Sequence, residues 1–399
     1  MKTEDIIAEE KKYIFQTYSR YPVVITKGKG MKVFDNSGKE YLDFLGGIAV
    51  DTLGHCHPRV ASAVRNQISK LVHISNLYYT VPQVKLAKLL CQVSGLDRCF
   101  FANSGAEANE AAIKLARKYA KEKLGQGKFE IITAKGSFHG RTMATLTATA
   151  QEKIHKGFEP LLPGFKYVNY NDISDMESAI NDTTCAVLIE PIQGEGGIII
   201  PSKEYLQKVR ELCDDNGLLL ILDEIQTGVG RTGKYFAFQN TAIKPDILTI
   251  AKGIGGGLPL GVMISAEKIA SSFNYGCHGS TFGGGPVVCS AGLAVIETII
   301  KEKLLKNAKE AGTYFVEKLN SLKVKYRSIK EARGEGLMVG LELSIPGKEI
   351  TGKLLEKGFI VNCTNENVLR FLPPLIVTRK QINTLVAALD GVLKDLKIQ

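Results

Sequence analysis

Lys252 occupies an unusual position for a lysine, between an apolar run and a glycine-rich stretch. Residues 247–251 form the apolar run, which predicts a buried strand, and residues 253–259 read GIGGGLP. Partial desolvation there would favour the neutral, nucleophilic amine that condenses with a carbonyl group. The alternative is a surface lysine whose aliphatic stem covers apolar residues, but that alternative does not explain the glycines.

Asp223 is a second candidate, because it ends the apolar run at residues 218–222. A carboxylate in such a place costs free energy unless a cation meets it. A protonated pyridine nitrogen is such a cation, and the acid would keep the ring electron-withdrawing. Gln226 could then reach a phenolic oxygen on the same ring. An aspartate that merely caps a strand–loop boundary is the alternative.

Two further segments suit the rest of a phosphorylated ring. Residues 103–109, NSGAEAN, predict a turn between a strand and a helix, where free backbone N–H groups can bind a phosphate. Residues 137–142, SFHGRT, place Phe138 as a stacking platform beside Arg141 as a carboxylate clamp. The alternatives are an ordinary capped helix, and a core phenylalanine beside a surface arginine.

The elements that must position these residues form an α/β pattern. Short continuous apolar runs alternate with helix-period segments, as expected for a mostly parallel sheet that is covered on both faces. The predicted strands are residues 98–102, 130–134, 185–190, 218–223, 247–250 and 261–265. The phosphate turn, the acid and the lysine each follow one of these strands. We therefore expect them at the carboxyl edge of the sheet, where α/β proteins bind ligands.

The two ends of the chain differ from this centre. Residues 1–45 predict a helix and then a hairpin, and residues 291–399 predict lysine- and glutamate-rich helices with short strands. We interpret both ends as one smaller α+β domain beside a large domain of residues 46–290.

Composition limits the class of protein. The net charge of +10 is spread along the chain without a basic block, so we expect no nucleic-acid partner. Eight cysteines without a CxxC pair suit reduced thiols in the cytoplasm. No run of about 18 apolar residues is present, and the N-terminus does not resemble a signal peptide, so we expect no membrane partner.

Long motifs resemble the class III pyridoxal-phosphate-dependent aminotransferases, a fold-type I family, over nearly the whole chain. They are GSFHGRT (136–142), IEPIQGEGG (189–197), LDEIQTGVGRTG (222–233), HGSTFGG (278–284) and LRFLPPLIV (369–377). The resemblance implies pyridoxal 5′-phosphate as the cofactor, with Lys252 as its Schiff-base lysine and Asp223 as the partner of its ring nitrogen. It also implies that further residues contact the cofactor: Gly105, Ala106, Phe138, Glu224, Ile225, Gln226 and Thr281.

The resemblance also implies the substrates. The substrate-binding residues would be Arg141, Glu195, Ser280, Arg370 and, from the N-terminal segment, Tyr18 unless it only packs. Arg370 would bind the α-carboxylate of glutamate or 2-oxoglutarate, and Glu195 would neutralise it while an ω-amino donor is bound. Thr281 would be a phosphate ligand from the second subunit, with Ser280 beside the substrate, which implies an obligate homodimer with shared active sites.

The expected reaction moves the δ-amino group of N²-acetylornithine to 2-oxoglutarate by a ping-pong mechanism, in arginine biosynthesis. Other donors stay open: succinylornithine, 4-aminobutyrate, ornithine or a carrier-linked aminoadipate semialdehyde. Glutamate-semialdehyde aminomutase activity is disfavoured, because Gln226 and the Glu195–Arg370 pair suit a transaminase. A non-catalytic cofactor-binding protein is the alternative from another class, and the joint presence of Lys252 and Asp223 argues against it.

Three positions depart from the family pattern. Ala106 replaces a common threonine, Gly285 replaces a common asparagine, and Ile48 stands where ornithine aminotransferases carry a tyrosine. The last departure disfavours free ornithine. His55 and His57 resemble a metal motif, but without a third ligand at suitable spacing we expect no metal site.

Overall fold

A computed structural model describes residues 1–398 of the chain. The strands are β1 (Ile25–Lys29), β2 (Lys32–Asp35), β3 (Glu40–Asp43), β4 (Arg98–Ala102), β5 (Glu130–Ala134), β6 (Phe165–Val168), β7 (Thr184–Ile189), β8 (Leu219–Asp223), β9 (Ile247–Ile250), β10 (Gly261–Ser265), β11 (Ile329–Glu335), β12 (Met338–Leu343), β13 (Phe359–Ile360), β14 (Asn362–Thr364) and β15 (Val368–Phe371).

The α-helices are α1 (Thr3–Tyr13), α2 (Gly46–Ala49), α3 (Pro58–Ile68), α4 (Val81–Ser94), α5 (Gly105–Lys123), α6 (Met143–Ala148), α7 (Glu152–His155), α8 (Ile173–Ala179), α9 (Tyr205–Asp215), α10 (Glu267–Ala270), α11 (Pro286–Lys301), α12 (Leu304–Lys323), α13 (Lys348–Glu356) and α14 (Arg379–Asp395). Short 3₁₀ turns cover Ala237–Asn240 and Lys252–Gly255. No helix within residues 1–398 is both long and apolar enough to cross a bilayer.

A seven-stranded sheet forms the centre of the molecule, in the order β4-β10-β9-β8-β7-β5-β6. The strands from β9 to β6 pair in parallel, and β10 is antiparallel to both of its neighbours. Strands β7, β8 and β9 are buried along their whole length, because helices cover both faces. The loops after β4, β5, β7, β8 and β9 therefore meet at one edge.

Two four-stranded sheets lie outside this centre. One has the order β1-β2-β3-β13, in which β3 from the N-terminal end pairs in parallel with β13 from the C-terminal end. The other has the order β11-β12-β15-β14 and carries Arg370 on β15, buried opposite Gly340 of β12. The domain bounds at residues 45 and 290 remain a prediction.

The predicted α/β architecture is confirmed, and the predicted central strands match the observed ones to within one residue. Two features were not predicted. Strand β6 was missed, since it lies at the sheet edge and mixes Lys166 with aromatic residues rather than forming an apolar run. The antiparallel direction of β10 was also missed, because a buried strand has the same composition in either direction.

Candidate active site

A cavity of about 560 Å³ opens at the carboxyl edge of the central sheet. It is lined by residues from the loops after β4, β5, β7, β8 and β9 together with Val50, which follows α2. Nine of the predicted site residues line it: Gly105, Ala106, Phe138, Arg141, Glu195, Asp223, Ile225, Gln226 and Lys252.

Lys252 follows β9 and has a left-handed backbone with φ +46°. Gly253 comes next, and a Cβ there would collide with the Thr52 side chain, so this tight turn requires a glycine. Burial lowers the pKa of Lys252, with Arg370 acting in the same direction and Glu195 and Asp223 opposing it. The strained turn thus directs into the cavity an amine that loses its proton more readily than an ordinary lysine.

Asp223 is 3% exposed and is held by a polar network rather than by a lysine or arginine. Asn109 Nδ2 donates to its Oδ2 at 2.8 Å, and His139 Nδ1 lies 2.8 Å from the same oxygen. The amide of Ile225 donates to Oδ1 at 3.0 Å, and Asn109 in turn accepts from Thr249. This network fixes a carboxylate at the cavity wall, where it can meet a cationic ring nitrogen.

The turn after β4 begins α5 with Ser104 as its N-cap, whose side chain accepts from the Glu107 amide. The amides of Gly105 and Ala106 lie in the first helical turn, where no intrahelical acceptor exists. A Cβ on Gly105 would lie 2.7 Å from Ile225 Cδ1, so the close approach of β8's loop requires glycine. Helix N-termini of this kind bind anions through backbone N–H groups, and here they need no threonine hydroxyl.

Phe138 lies half-buried on the loop after β5, beside the guanidinium of Arg141. The guanidinium carbon is 5.7 Å from the ring centroid, and the exposed Arg141 side chain stands at the mouth of the cavity. An aromatic face next to a free cation can stack on a ring while the cation binds a substrate carboxylate.

Arg370 is 1% exposed and pairs with Glu195 at 2.6 Å between Nη1 and Oε1. Its Nε donates to Asn362 at 3.2 Å, and Nη1 also lies 3.5 Å from Gln226 Oε1. Burial would raise the pKa of Glu195, but Arg370 outweighs it and holds that pKa below its usual range. Glu195 is therefore charged, and it covers the buried Arg370 side chain.

Five predicted residues lie outside the lining of this cavity, and one of them is Arg370, which pairs with Glu195 of the lining. Glu224 is fully buried, and its carboxylate accepts from Thr227 and from the amides of residues 237 and 238. Tyr18 is 72% exposed on the N-terminal segment. Ser280 accepts a hydrogen bond from Asn103 at 3.2 Å, next to the phosphate turn. Thr281 lines a separate small cavity.

Sequence reasoning missed Glu190 and Asn109. Glu190 follows β7, is 5% exposed, and lines the cavity beside the neighbouring Asp223 strand end. The pattern that identified Asp223, an acid that ends a buried apolar run, also marks Glu190. Asn109 ended the predicted phosphate turn, and nothing in its local sequence indicated a contact with Asp223. His139, the residue after Phe138, also contacts Asp223 through its Nδ1.

The cavity suits pyridoxal phosphate, because each part of that molecule has a matching group. The α5 amides fit the phosphate, the Phe138 ring fits the pyridine face, Asp223 fits the ring nitrogen, and the Lys252 amine fits the aldehyde. Within residues 1–398 no cluster of His, Cys, Asp and Glu could hold a metal. His55 instead pairs with Asp43 at 2.8 Å.

Comparison with known proteins agrees with this geometry. A family model described as "Aminotransferase class-III" matches residues 13–393. The chain is 55% identical to the acetylornithine aminotransferase of Methanocaldococcus jannaschii over all of both chains, and 51% identical to that of Caldanaerobacter subterraneus over 98% of this chain and 100% of the relative.

Solved structures give the same picture. The ornithine aminotransferase of Toxoplasma gondii superposes with a TM-score of 0.96 at 34% identity, covering 100% of this chain and 96% of that one. An acetylornithine aminotransferase from Elizabethkingia anophelis superposes with a TM-score of 0.89 at 32% identity, covering 99% and 100%. The chain belongs to the class III aminotransferase family.

Proposed function

We propose that the protein is an acetylornithine aminotransferase, which moves the δ-amino group of N²-acetyl-L-ornithine to 2-oxoglutarate. The products are N-acetyl-L-glutamate 5-semialdehyde and L-glutamate, in arginine biosynthesis. The observation that carries this proposal is the presence of Lys252, Asp223 and Glu195 around one cavity, with Arg370 paired to Glu195. The full-length identity of 55% to an acetylornithine aminotransferase supports the choice of substrate.

The cofactor of this family is pyridoxal 5′-phosphate, which supplies an aldehyde that condenses with amines and a cationic ring that withdraws electrons. Gly105 and Ala106 would hold its phosphate, Phe138 would cover its ring, Asp223 would keep the ring nitrogen protonated, and Lys252 would hold the aldehyde.

Lys252 has two functions in this proposal. Its amine would yield its place to the substrate amine, and burial lowers the pKa of Lys252, so the released Nζ loses its proton more readily than an ordinary lysine. That Nζ then accepts the proton from the substrate carbon that bears the nitrogen, as a general base. Asp223, fixed by Asn109 and His139, stabilises the positive charge on the ring side throughout.

The two arginines divide the recognition of carboxylates. Arg141 stands free at the cavity mouth and binds the α-carboxylate of acetylornithine. Arg370 is covered by Glu195 while this amine is bound, so no buried cation is left unpaired. When 2-oxoglutarate enters, Glu195 moves aside and Arg370 binds the carboxylate next to the carbonyl. One cavity can then accept two differently shaped substrates.

We also propose that the protein is a homodimer in the cytoplasm. Leu77, Tyr78, Tyr79 and Phe282 expose large apolar side chains, and the last of them adjoins Thr281. Apolar surface of this extent is typical of a protein–protein contact. Each copy would supply Thr281 to the other copy's cavity. The eight free cysteines suit a reducing compartment.

The test is a comparison of kcat/KM for four amines with 2-oxoglutarate as acceptor: acetylornithine, succinylornithine, ornithine and 4-aminobutyrate. Acetylornithine should give the highest value. Ornithine is the competing donor, because the chain superposes on ornithine aminotransferases. A higher value for ornithine or 4-aminobutyrate would overturn the proposed substrate.

A further inference from the structure

Glu190 is a buried carboxylate at the cavity wall that has no part in the proposed chemistry. It follows β7, is 5% exposed, and binds two loops through its two oxygens. Oε1 accepts the Phe138 amide at 3.0 Å, and Oε2 accepts the Gly194 amide at 3.0 Å. The first amide belongs to the ring-stacking residue, and the second immediately precedes Glu195.

The surroundings of Glu190 contain charges from three other loops. Burial raises the pKa of Glu190, Asp223 raises it further, and His139 with the two amides opposes this effect. Lys252 lies within electrostatic range of Glu190, and the Tyr170 hydroxyl donates to the Glu190 carbonyl oxygen at 3.0 Å. A carboxylate kept in this place despite the cost of burial needs a structural reason.

We propose that Glu190 is a positioning residue for the aminotransferase site. By accepting the backbone amides of Phe138 and Gly194, its carboxylate holds the Phe138 ring and the Glu195 side chain in fixed positions relative to each other. The inference rests on the proposed function. These two hydrogen bonds join the loop after β5 to the loop after β7. The Phe138 ring and the Glu195 carboxylate that pairs with Arg370 therefore keep a constant separation.

A carboxylate suits this task because both partners are N–H donors and both of its oxygens accept. A glutamine side chain has one accepting oxygen and one NH₂ group. In Glu190→Gln, one of the two backbone N–H groups would therefore face the NH₂ group, which cannot accept its hydrogen bond. The Gly194 backbone also lies close to the Gln226 side chain, since a Cβ at residue 194 would collide with it. The variant should therefore disturb both loops without altering a group that touches the substrate.

The experiment compares wild-type and Glu190→Gln holoenzyme by two measurements. Circular dichroism in the visible absorption band of bound pyridoxal phosphate reports the asymmetric surroundings of the cofactor ring, which the Phe138 side chain would cover. The KM for 2-oxoglutarate reports the movement of Glu195 away from Arg370. We expect the dichroic band to fall by about half and this KM to rise about tenfold, with kcat reduced less than about threefold, from the loss of one charge-assisted hydrogen bond.

Asp246→Asn is the matched control. Asp246 is also a buried carboxylate, and it accepts the Leu220 amide at 2.9 Å and pairs with Arg210 at 2.8 Å, but it lies at the opposite edge of the sheet. This control should lower thermal stability and leave the dichroic band and the KM unchanged. Equal changes in both variants would mean a merely structural role and would overturn the proposal.

A change in only one of the two measurements, or in neither, would also overturn it. If Glu190→Gln does not accumulate as folded protein, Glu190→Asp replaces it, because the shorter side chain keeps the charge but cannot reach both amides. A wild-type protein that shows no cofactor band or no turnover of 2-oxoglutarate would instead refute the proposed function, before any variant is compared.

Discussion

Arg370 Nη1 lies 2.6 Å from Glu195 Oε1, and Glu195 lines the cavity together with the free guanidinium of Arg141. The arginine is almost fully buried, whereas Glu195 keeps part of its surface exposed. We therefore expect Glu195 rather than Arg370 to move when the substrate changes, which would make the pair a substrate-dependent switch.

Removal of Arg370 should affect the two halves of the reaction unequally. In Arg370→Ala, kcat/KM for 2-oxoglutarate should fall on the order of 10²-fold or more, because a buried charged partner is lost. The value for acetylornithine should fall much less. Single-turnover absorbance measurements of each half-reaction would determine both values.

Glu195→Gln changes the other member of the ion pair and leaves Arg370 without a negatively charged partner at that position. It should slow the acetylornithine half-reaction more than the 2-oxoglutarate half-reaction. Equal losses in both halves for either variant would contradict the switch.

Asp223→Asn should leave cofactor binding largely intact while it lowers the catalytic rate. Lys252 and the α5 amides remain, so the cofactor should still bind, but the neutral amide no longer holds a proton on the ring nitrogen. We expect kcat to fall on the order of 10²–10³-fold. Cofactor content by absorbance and kcat by steady-state assay measure the two effects. A variant with near-normal kcat would contradict the assignment of Asp223.

Glu224 predicts a pH dependence of stability. Burial raises the pKa of Glu224 from 4.5 to about 7, and the hydrogen bonds that it accepts from the amides of residues 238 and 237 act in the opposite direction. Since the folded pKa of this acid exceeds the unfolded one, its contribution to stability is complete below pH 4.5 and is lost as the pH rises through 7. The loss should amount to at most about 3 kcal/mol.

Urea unfolding of the wild type and of Glu224→Gln at several values between these pH limits measures this contribution. Other groups titrate in the same range, so the difference between the two proteins is the informative quantity. The wild type should lose more stability than the variant as the pH rises. Parallel curves would show that Glu224 does not titrate there.

The proposed homodimer predicts that a charged residue on the apolar surface around Tyr79 and Phe282 separates the subunits. Tyr79 is 99% exposed in the single chain, and Tyr79→Asp should reduce the mass in solution from about twice 43.5 kDa to about 43.5 kDa. Activity should fall with it, because each cavity would lose the Thr281 of the other copy. The control variant is Val324→Asp, which changes another exposed apolar residue, outside the proposed interface. This variant should remain a dimer. Sedimentation equilibrium decides the outcome.

Much of the site could be predicted because its residues follow buried strands. Lys252 and Asp223 both end apolar runs, and parallel strands bring such ends to one edge. Their local sequences therefore contained the information that places them around one cavity. The length of the runs also fixed the strand bounds closely.

Other contacts depend on tertiary structure. Asn109 and Asp223 are 114 residues apart, and their hydrogen bond requires α5 to pack across β8 and β9. Glu190 followed the same rule as Asp223 and was nevertheless interpreted only as the last residue of a strand, because its partners are backbone amides without a sequence pattern. Strand β6 was missed since an edge strand needs no continuous apolar run.

The most direct test of the account is the identity of the lysine that carries the cofactor. Borohydride reduces a carbon–nitrogen double bond to a stable single bond, so treatment of the holoenzyme attaches the cofactor permanently to its lysine. Proteolysis and mass spectrometry should then find the added mass on Lys252, with Lys252→Ala protein unlabelled. Labelling at another lysine, or none in a protein that is active, would contradict the central claim.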